Sequence, residues 1–256
     1  MNRGIYPILS GALAQEQRTQ VFAHNIANVN TKGFKQEEPL FQALLPHRRL
    51  TGSPDSHVRL VSGMPPPIFG AAERVFVGPH GNHTQFDSGR LRTTGNPFDL
   101  AIDGPGFFEV RAPEGLRYTR NGVFHLDEKR RLVTQAGLPV MGTKGELKLP
   151  PGEVVIDGRG TISVGGQPVG TVKVVEFPEQ QMPRKVAESL FAGEGGAVQR
   201  NPTVMSAAVE ESNVNPLDEM VKLIQGMRSY ESAQKMIQTI DRMAELAVNE
   251  LGRVQA

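Results

Sequence analysis

The sequence of 256 residues contains no cysteine and no tryptophan. Without cysteine the chain can form no disulfide, no thiolate metal site and no cysteine nucleophile, so packing alone must hold its fold together. Its 28 Lys and Arg against 27 Asp and Glu leave a formal net charge of +1. Nucleic-acid binding normally depends on a strong basic excess, so we expect no nucleic-acid partner.

Long apolar runs are missing as well. No stretch approaches the roughly 20 apolar residues that span a bilayer, so we do not expect the chain to be integral to a membrane. The segment from Met1 to Leu13 lacks the basic region, apolar run and small-residue cleavage site of a secretory signal. Export by the general secretory route is therefore not predicted.

Signatures of catalysis and cofactor binding are also scarce. The glycine-rich segments match neither a dinucleotide-binding motif nor a P-loop, which predicts no cofactor. His80 and His83 lie three apart in a predicted loop, where solvated side chains are favoured over metal ligands. Asp99, Asp103 and Glu109 could be imagined as an acid/base set, but the turn composition after Asp103 favours a structural role. We expect no catalytic, cofactor-binding or metal-binding residues and predict that the chain is not an enzyme.

The C-terminal segment has the clearest helical periodicity. Asn215 is a favoured N-cap residue and Pro216 suits the first helical position. Apolar residues then recur in steps of three and four, which predicts a helix from Leu217 to Val254 about 57 Å long at 1.5 Å per residue. A compact domain cannot bury an apolar stripe of that length, so the helix needs another long helix or another chain as partner.

The N-terminal segment supplies a candidate partner. Apolar residues between Ile5 and Val29 fall on or near one helical face. Pro7 lies inside this pattern, which favours a first turn that begins after it. The stretch from Asn25 to Phe34 is rich in asparagine and contains Gly33, which predicts that the helix ends there in a left-handed turn.

Between the two ends, short alternating apolar runs separated by glycine predict an all-β region. The strongest local signal is Asn121-Gly122 between the runs Tyr118 to Arg120 and Val123 to Leu126, which predicts a hairpin with a type I′ turn. Met64 to Pro67 and Gly193 to Gly196 are typical of linkers. The predicted fold class is α+β, with a discontinuous terminal α-helical coiled-coil domain and a central all-β domain.

The predicted domain boundaries follow from these elements. They are an N-terminal helix and motif over 1–45, a linker over 46–74, the central β domain over 75–190, a return linker over 191–210, and the C-terminal helix over 211–256.

Three motifs resemble the bacterial flagellar basal-body rod proteins and related hook and axial proteins. One runs from Asn25 to Phe34, one combines Thr94 to Phe108 with Tyr118 to Gly122, and one combines Ser212 to Pro216 with Arg228 to Glu231. They cover both ends and the centre of the chain in the family's order. Within the family, residues 170–177 and 237–254 look most like F-type rod proteins; a G-type distal rod protein or another axial subunit is the alternative.

The resemblance implies a structural subunit of the rod that polymerises through its terminal helices and transmits torque from motor to hook. Such proteins pass unfolded through the flagellar type III export apparatus without a cleaved signal and assemble in the basal body that spans the periplasm. The implied partners are other rod proteins, copies of the chain itself and that apparatus. The residues expected to make assembly contacts are Ile26, Asn28, Phe34, Asn213, Asn215, Ile224, Tyr230 and Ile237.

Two other classes of function remain open at this point. One is an enzyme acting on the cell wall through the three acids named above. The other is a soluble binding module whose terminal helices pair within one molecule, and it differs from a rod subunit by predicting a stable, fully folded monomer.

Overall fold

A computed structural model of the chain describes residues 5–44 and 76–253. Within these residues two helices, α1 (Ile5–Ala27) and α2 (Pro216–Arg253), flank a region of short strands. The α+β class is therefore confirmed, whereas the coiled coil stays a prediction. The predicted linker over 46–74, with its proline run, lies outside the described residues. Neither described helix is long and apolar enough to cross a membrane.

The strands are numbered in chain order. They are β1 (Glu37–Leu44), β2 (Phe76–Thr84), β3 (Leu91–Thr93), β4 (Leu100–Ile102), β5 (Phe107–Ala112), β6 (Gly115–Thr119), β7 (Phe124–Leu126), β8 (Leu132–Thr134), β9 (Met141–Gly142), β10 (Gly145–Glu146), β11 (Val154–Ile156), β12 (Thr161–Val164), β13 (Gln167–Thr171), β14 (Val174–Glu176), β15 (Arg184–Lys185), β16 (Leu190–Ala192), β17 (Ala197–Val198), β18 (Val204–Ser206) and β19 (Ala208–Glu210).

Helix α1 begins at Ile5, so the expectation that it starts after Pro7 is wrong. Pro7 is the third helical residue, and the first four backbone N–H groups of a helix have no partner within it. Proline therefore costs α1 no hydrogen bond at this position. Ser10 uses the freed geometry locally, since its hydroxyl donates to the Pro7 carbonyl at 2.9 Å.

Helix α2 begins where the sequence predicts. The Asn215 side-chain oxygen accepts from the Leu217 N–H at 3.1 Å, which is the N-cap hydrogen bond. Pro216 is the first helical residue, and Asp218 and Glu219 occupy the acidic first turn. The helix is 38 residues long, about 57 Å at 1.5 Å per residue.

The chain forms two compact units. Unit 1 contains, of the described residues, 5–20, 39–44, 76–82 and 223–253. Within it, the Arg18 guanidinium lies 5.1 Å from the centre of the Phe41 ring, and the Ser10 hydroxyl oxygen accepts from the Val77 N–H at 3.4 Å. These contacts hold the N-terminal part of α1 against the ribbon that β1 and β2 form.

Unit 2 contains residues 21–38 and 83–222. Its largest sheet has six strands in the order β15-β16-β6-β5-β14-β17, and the pairs given for it are antiparallel. Strand β5 lies near the centre and buries both of its faces. Phe108 and Val110 face a large aliphatic core, whereas Phe107 faces a second cluster with Tyr118 and Phe191.

The hairpin predicted at Asn121-Gly122 is wrong. Strand β6 pairs with β5 and β16, while β7 pairs with β8, so these two residues connect different sheets. Gly122 is needed for a close approach and not for a turn. Its carbonyl accepts from the Leu100 N–H at 2.9 Å, and a Cβ at Gly122 would overlap the Leu100 carbonyl.

The segment expected to be a return linker, 191–210, differs from that expectation. It contains β17, β18, β19 and most of β16, which pair with β14, β4, β3 and β6. The glycine cluster again serves close packing, because a Cβ at Gly196 would lie 2.8 Å from the Phe177 ring. The other predicted domain boundaries remain predictions.

Candidate functional site

The three sequence motifs meet inside unit 2, at a place we call the junction. It consists of residues 25–37 after and at the end of α1, residues 118–122 of the β region, and residues 210–219 leading into α2. Asn25 is fully buried and reads both neighbouring segments: its side-chain N–H donates to the Glu219 carboxylate at 3.0 Å and to the Glu37 carbonyl at 2.9 Å. The Glu37 N–H returns to the Asn25 side-chain oxygen at 3.1 Å. Asn25 thus ties the end of α1 to the start of α2.

Glu219 is fully buried in the first turn of α2 and serves as the shared acceptor of the junction. Besides Asn25, it accepts from the Gln36 side-chain amide at 2.9 Å and from Lys222 Nζ at 2.8 Å. Asn213 adds another connection, because its side-chain oxygen accepts from the Gln36 N–H at 2.8 Å. A buried carboxylate needs such donors to offset the cost of leaving water.

The turn after α1 is shaped by Asn28 and Gly33. Asn28 caps the helix end through a hydrogen bond from its side chain to the His24 carbonyl at 3.0 Å. Gly33 has φ +66, in the left-handed region, as the sequence predicts. Its N–H donates to the Glu210 carbonyl at 2.8 Å, and a Cβ would overlap the backbone of Arg120 and Asn121. Only glycine fits between the motif and the β region here.

A buried ionic cluster lies next to this turn. Glu210 accepts from Lys35 Nζ at 2.6 Å, from Arg120 Nη1 at 3.1 Å and from the Gly89 N–H at 2.8 Å. The side chains of Lys35, Arg120 and Glu210 are between 1% and 4% exposed. Lys35 also donates to the Asp87 carbonyl at 2.7 Å. Each motif region therefore contributes one charged group to a single hydrogen-bonded set.

Burial has a measurable electrostatic effect on the two cations. Loss of solvent lowers the pKa of Lys35, and the nearby Glu210 carboxylate opposes this effect without cancelling it. Burial lowers the pKa of the Arg120 guanidinium for the same reason, again against the attraction of Glu210. The cluster is costly to assemble, so it specifies one arrangement of the three segments more than it adds stability.

Phe34 is held between a ring and a cation. Its fully buried side chain contacts the His24 ring edge-on at 5.6 Å and has Lys185 Nζ 3.7 Å from its ring centre. Lys185, on β15, also pairs with Glu37 at 2.7 Å. The edge of the six-stranded sheet thus clamps the motif that follows α1.

The predicted contact residues fall into two groups. Asn28 and Phe34 are buried and Asn213 is half-buried in the junction, where each has partners within the chain. The structure brings these three together. The other five are half-buried or exposed: Ile26, Asn215, Ile224, Tyr230 and Ile237.

Sequence reasoning missed the charged members of the junction. Lys35, Arg120, Glu210 and Glu219 were not singled out, although Arg120 lies inside one of the motifs. A local signal does exist for Lys35 and Arg120, since both directly adjoin motif residues that prove to be buried. No comparable signal marks Glu210, which lies 175 positions after Lys35.

The groups considered for chemistry have structural partners instead. Asp99 is buried and accepts from the Asn96 side chain at 3.0 Å, and Glu109 is buried against Lys173 at 2.8 Å. His80 and His83 are exposed and lie on β2, so the expectation of a loop is wrong for them. Within the described ranges, no three His, Asp or Glu side chains are grouped as a metal would require.

A cavity of about 560 Å³ opens beside the junction. Hydroxyl and amide groups dominate its polar lining, which includes Thr31, Asn121, Gln135 and Ser189. Lys32 also lines it and pairs at 3.5 Å with Glu211. The arrangement provides packing and hydrogen bonds, and its charged groups are not set up as an acid and a base.

Comparison with known proteins identifies matches at the same three places. A family model described as "Flagella basal body rod protein" matches residues 6–35. One described as "Flagellar hook protein FlgE/F/G D1 domain" matches residues 101–164. A third, "Flagellar basal body rod FlgEFG protein C-terminal", matches residues 205–250. The matches include α1 with its following turn, the centre of the β region, and most of α2.

Whole-length relatives carry the same names. The chain is 33% identical to the flagellar basal-body rod protein FlgF of Caulobacter vibrioides, over 99% of this chain and 100% of that protein. It is 30% identical to FlgG of Buchnera aphidicola from Schizaphis graminum, over 92% of this chain and 95% of that protein. It is also 30% identical to FlgG of Borreliella burgdorferi, over 97% and 98%.

Proposed function

The chain belongs to the flagellar basal-body rod protein family, and from this premise we propose that it polymerises through its terminal helices and transmits torque from motor to hook. It is a structural subunit of the rod, a part of the flagellar basal body that serves motility, and it assembles with other rod components. The proposal concerns how this subunit makes its contacts.

The observation that carries the proposal is the exposed apolar surface of α2. Ile224 and Met227 are each 50% exposed on a helix that is fully formed around them. Exposed apolar groups at helical spacing mark a surface for protein contact. Helix α1 has the same property, with Leu13 56% exposed.

We further propose that α1 and α2 pair as a coiled coil within the inner helical domain, formed by residues 1–45 and 211–256. The support comes from unit 1, where half-buried positions of α2 recur in steps of three and four, such as Tyr230, Ala233 and Ile237. The helices also approach closely at Gly226, where a Cβ would lie 2.9 Å from the Thr19 hydroxyl.

The eight predicted contact residues then have two roles. We propose that Ile26, Asn215, Ile224, Tyr230 and Ile237 contact neighbouring subunits. Asn28, Phe34 and Asn213 have partners inside the chain, which favours an indirect role in which they fix the junction.

Export and classification complete the proposal. We propose that the chain passes through the flagellar type III apparatus without a cleaved signal, that it binds no nucleic acid and that it has no enzymatic activity. Within the family we favour an F-type subunit, supported by the match to the whole length of the Caulobacter FlgF protein. A G-type subunit is the alternative, since FlgG proteins match over nearly the same length.

A charge placed on the exposed surface tests the proposal. We expect Ile224→Asp to abolish swimming and to remove the chain from isolated basal bodies, because the aspartate must be buried at a subunit contact without a partner. Gln225→Asp, at the next and equally exposed position, is the matched control and should remain motile. Equal circular dichroism of the purified variants checks folding. Normal motility and normal rod content for Ile224→Asp would contradict the proposal.

A further inference from the structure

The part of α2 that belongs to unit 1 has three unlike surfaces. Its buried and half-buried positions form an inner row with heptad spacing: Leu223, Gly226, Tyr230, Ala233, Ile237, Ile240 and Ala244. Positions on either side of such a row form two separate flanks of the helix, one next to each edge of the row. The two flanks of α2 carry different residues.

The first flank is apolar early and acidic late. It carries Ile224 and Met227, both 50% exposed, and then Glu231, Asp241 and Glu245. The second flank is polar early and apolar late, with Met236, Met243 and Leu246 between 51% and 62% exposed. The two apolar patches therefore lie on opposite flanks and at different heights along the helix.

We propose that the second flank of α2 packs against the first flank of α2 in a parallel second copy of this chain, displaced by two heptads. The inference rests on the proposed function and adds the partner and the register to it. Two heptads are 14 residues, or about 21 Å at 1.5 Å per residue.

This displacement brings the two apolar patches together. Met227 of the second copy then lies two residues, or about 3 Å, from the level of Met243, and Ile224 lies between the levels of Met236 and Met243. Without displacement, Met243 would face Asp241 and Glu245, and an apolar group would have to desolvate carboxylates. Burial of apolar surface therefore selects the displaced register.

Charge complementarity supports the same register. Arg242 is exposed on the outer side of the helix, next to the second flank. Glu231 of the displaced copy lies three residues from its level, about 4.5 Å along the axis, which an arginine side chain can span. In the part of the chain that the structure describes, neither Arg242 nor Glu231 takes part in an ion pair. Both charges are therefore available to a neighbour.

The contact has a consequence for assembly. Because the two flanks are different surfaces, every copy that binds through one flank leaves the other flank open. Such a heterologous contact with an axial displacement does not close into a ring and continues as an open helical array.

Disulfide cross-linking tests the register directly, because the natural chain has no cysteine. In Met227→Cys/Met243→Cys the two positions are 16 residues apart, about 24 Å along one helix, so no disulfide can form within the chain. We expect mild oxidation of isolated basal bodies to give a ladder of dimers and larger multimers. Each single cysteine variant should give no ladder.

Gln234→Cys/Met236→Cys is the matched control for a register without displacement. These two positions lie on opposite flanks at almost the same level, and they should give no ladder. A ladder from this pair alone would overturn the displaced register. If neither pair gives a ladder while both variants are motile and present in basal bodies, the second copy is not the partner, although the proposed function still stands.

A charge reversal gives an independent test that needs no cysteine. Glu231→Arg should reduce swimming, because it places two cations at one contact, and Glu231→Arg/Arg242→Glu should restore it. Rescue to at least half of normal swimming is expected. A double variant that swims no better than Glu231→Arg, with both proteins folded by circular dichroism, would overturn the proposed contact.

Discussion

The buried carboxylate of Glu210 offers a stringent test of the junction. Its two oxygens accept from Lys35 at 2.6 Å, from Arg120 at 3.1 Å and from the Gly89 N–H at 2.8 Å. Glu210→Gln keeps the size of the side chain but removes its charge. Two buried cations then lose their counter-ion, because Lys35 and Arg120 are almost completely shielded from water.

The expected loss of stability follows from this geometry. Removing one partner of a buried ion pair costs about 3 to 5 kcal/mol, since an uncompensated charge stays in the interior. In urea, with an m-value of about 2 kcal/mol/M, the unfolding midpoint should fall by about 1.5 to 2.5 M. Far-UV circular dichroism of the full chain measures this transition, because the β region contributes most of its strand signal.

Glu211 is a matched control at the adjacent position. It lies 32% exposed beside Arg92 at 3.1 Å and Lys32 at 3.5 Å. Pairs with this much solvent access contribute about 0 to 1 kcal/mol, so Glu211→Gln should move the midpoint by less than about 0.5 M. Equal shifts for the two variants would refute the conclusion that burial of the Glu210 cluster organises unit 2.

Three further predictions concern turns and clamps. Gly33→Ala should destabilise unit 2 by more than Gly137→Ala in urea unfolding, because both have positive φ but only Gly33 lies against backbone. Lys185→Met should cost about 1 to 2 kcal/mol and speed hydrogen exchange at the Phe34 amide, since it removes the cation above that ring. Hydrogen bonds from backbone N–H groups lower the pKa of Asp157 below 3.8, so its contribution is present above pH 3.8 and lost as pH falls through the lower folded value. Thermal unfolding of Asp157→Asn should therefore differ from the natural chain at pH 6 and converge with it at strongly acidic pH.

Local signals predicted the helices well. Asn215 and Pro216 determine the start of α2 through hydrogen bonds within four residues, and the structure starts the helix there. The same kind of reasoning failed at Asn121-Gly122. A turn-forming pair indicates where a chain can bend, but which strands pair is decided by distant segments, here β5, β16 and β8.

The junction could be predicted only in part. The motif after α1 was recognisable, and Gly33 has the left-handed backbone that its composition indicates. The charges were not predictable, because a lysine or glutamate in a sequence is most often exposed. Their burial depends on Lys35 and Glu210 meeting across 175 intervening positions, and no local pattern reports such a meeting.

These long separations also determine when the β-rich unit can finish folding. Asn25 bonds Glu219 across 194 positions, so early and late parts of the chain must both be present before the two segments lock. Contacts that close such large loops form slowly and late. A chain that emerges from the ribosome with its amino terminus first therefore stays incomplete until more than four fifths of it has been made, and that delay favours delivery in an unfolded state.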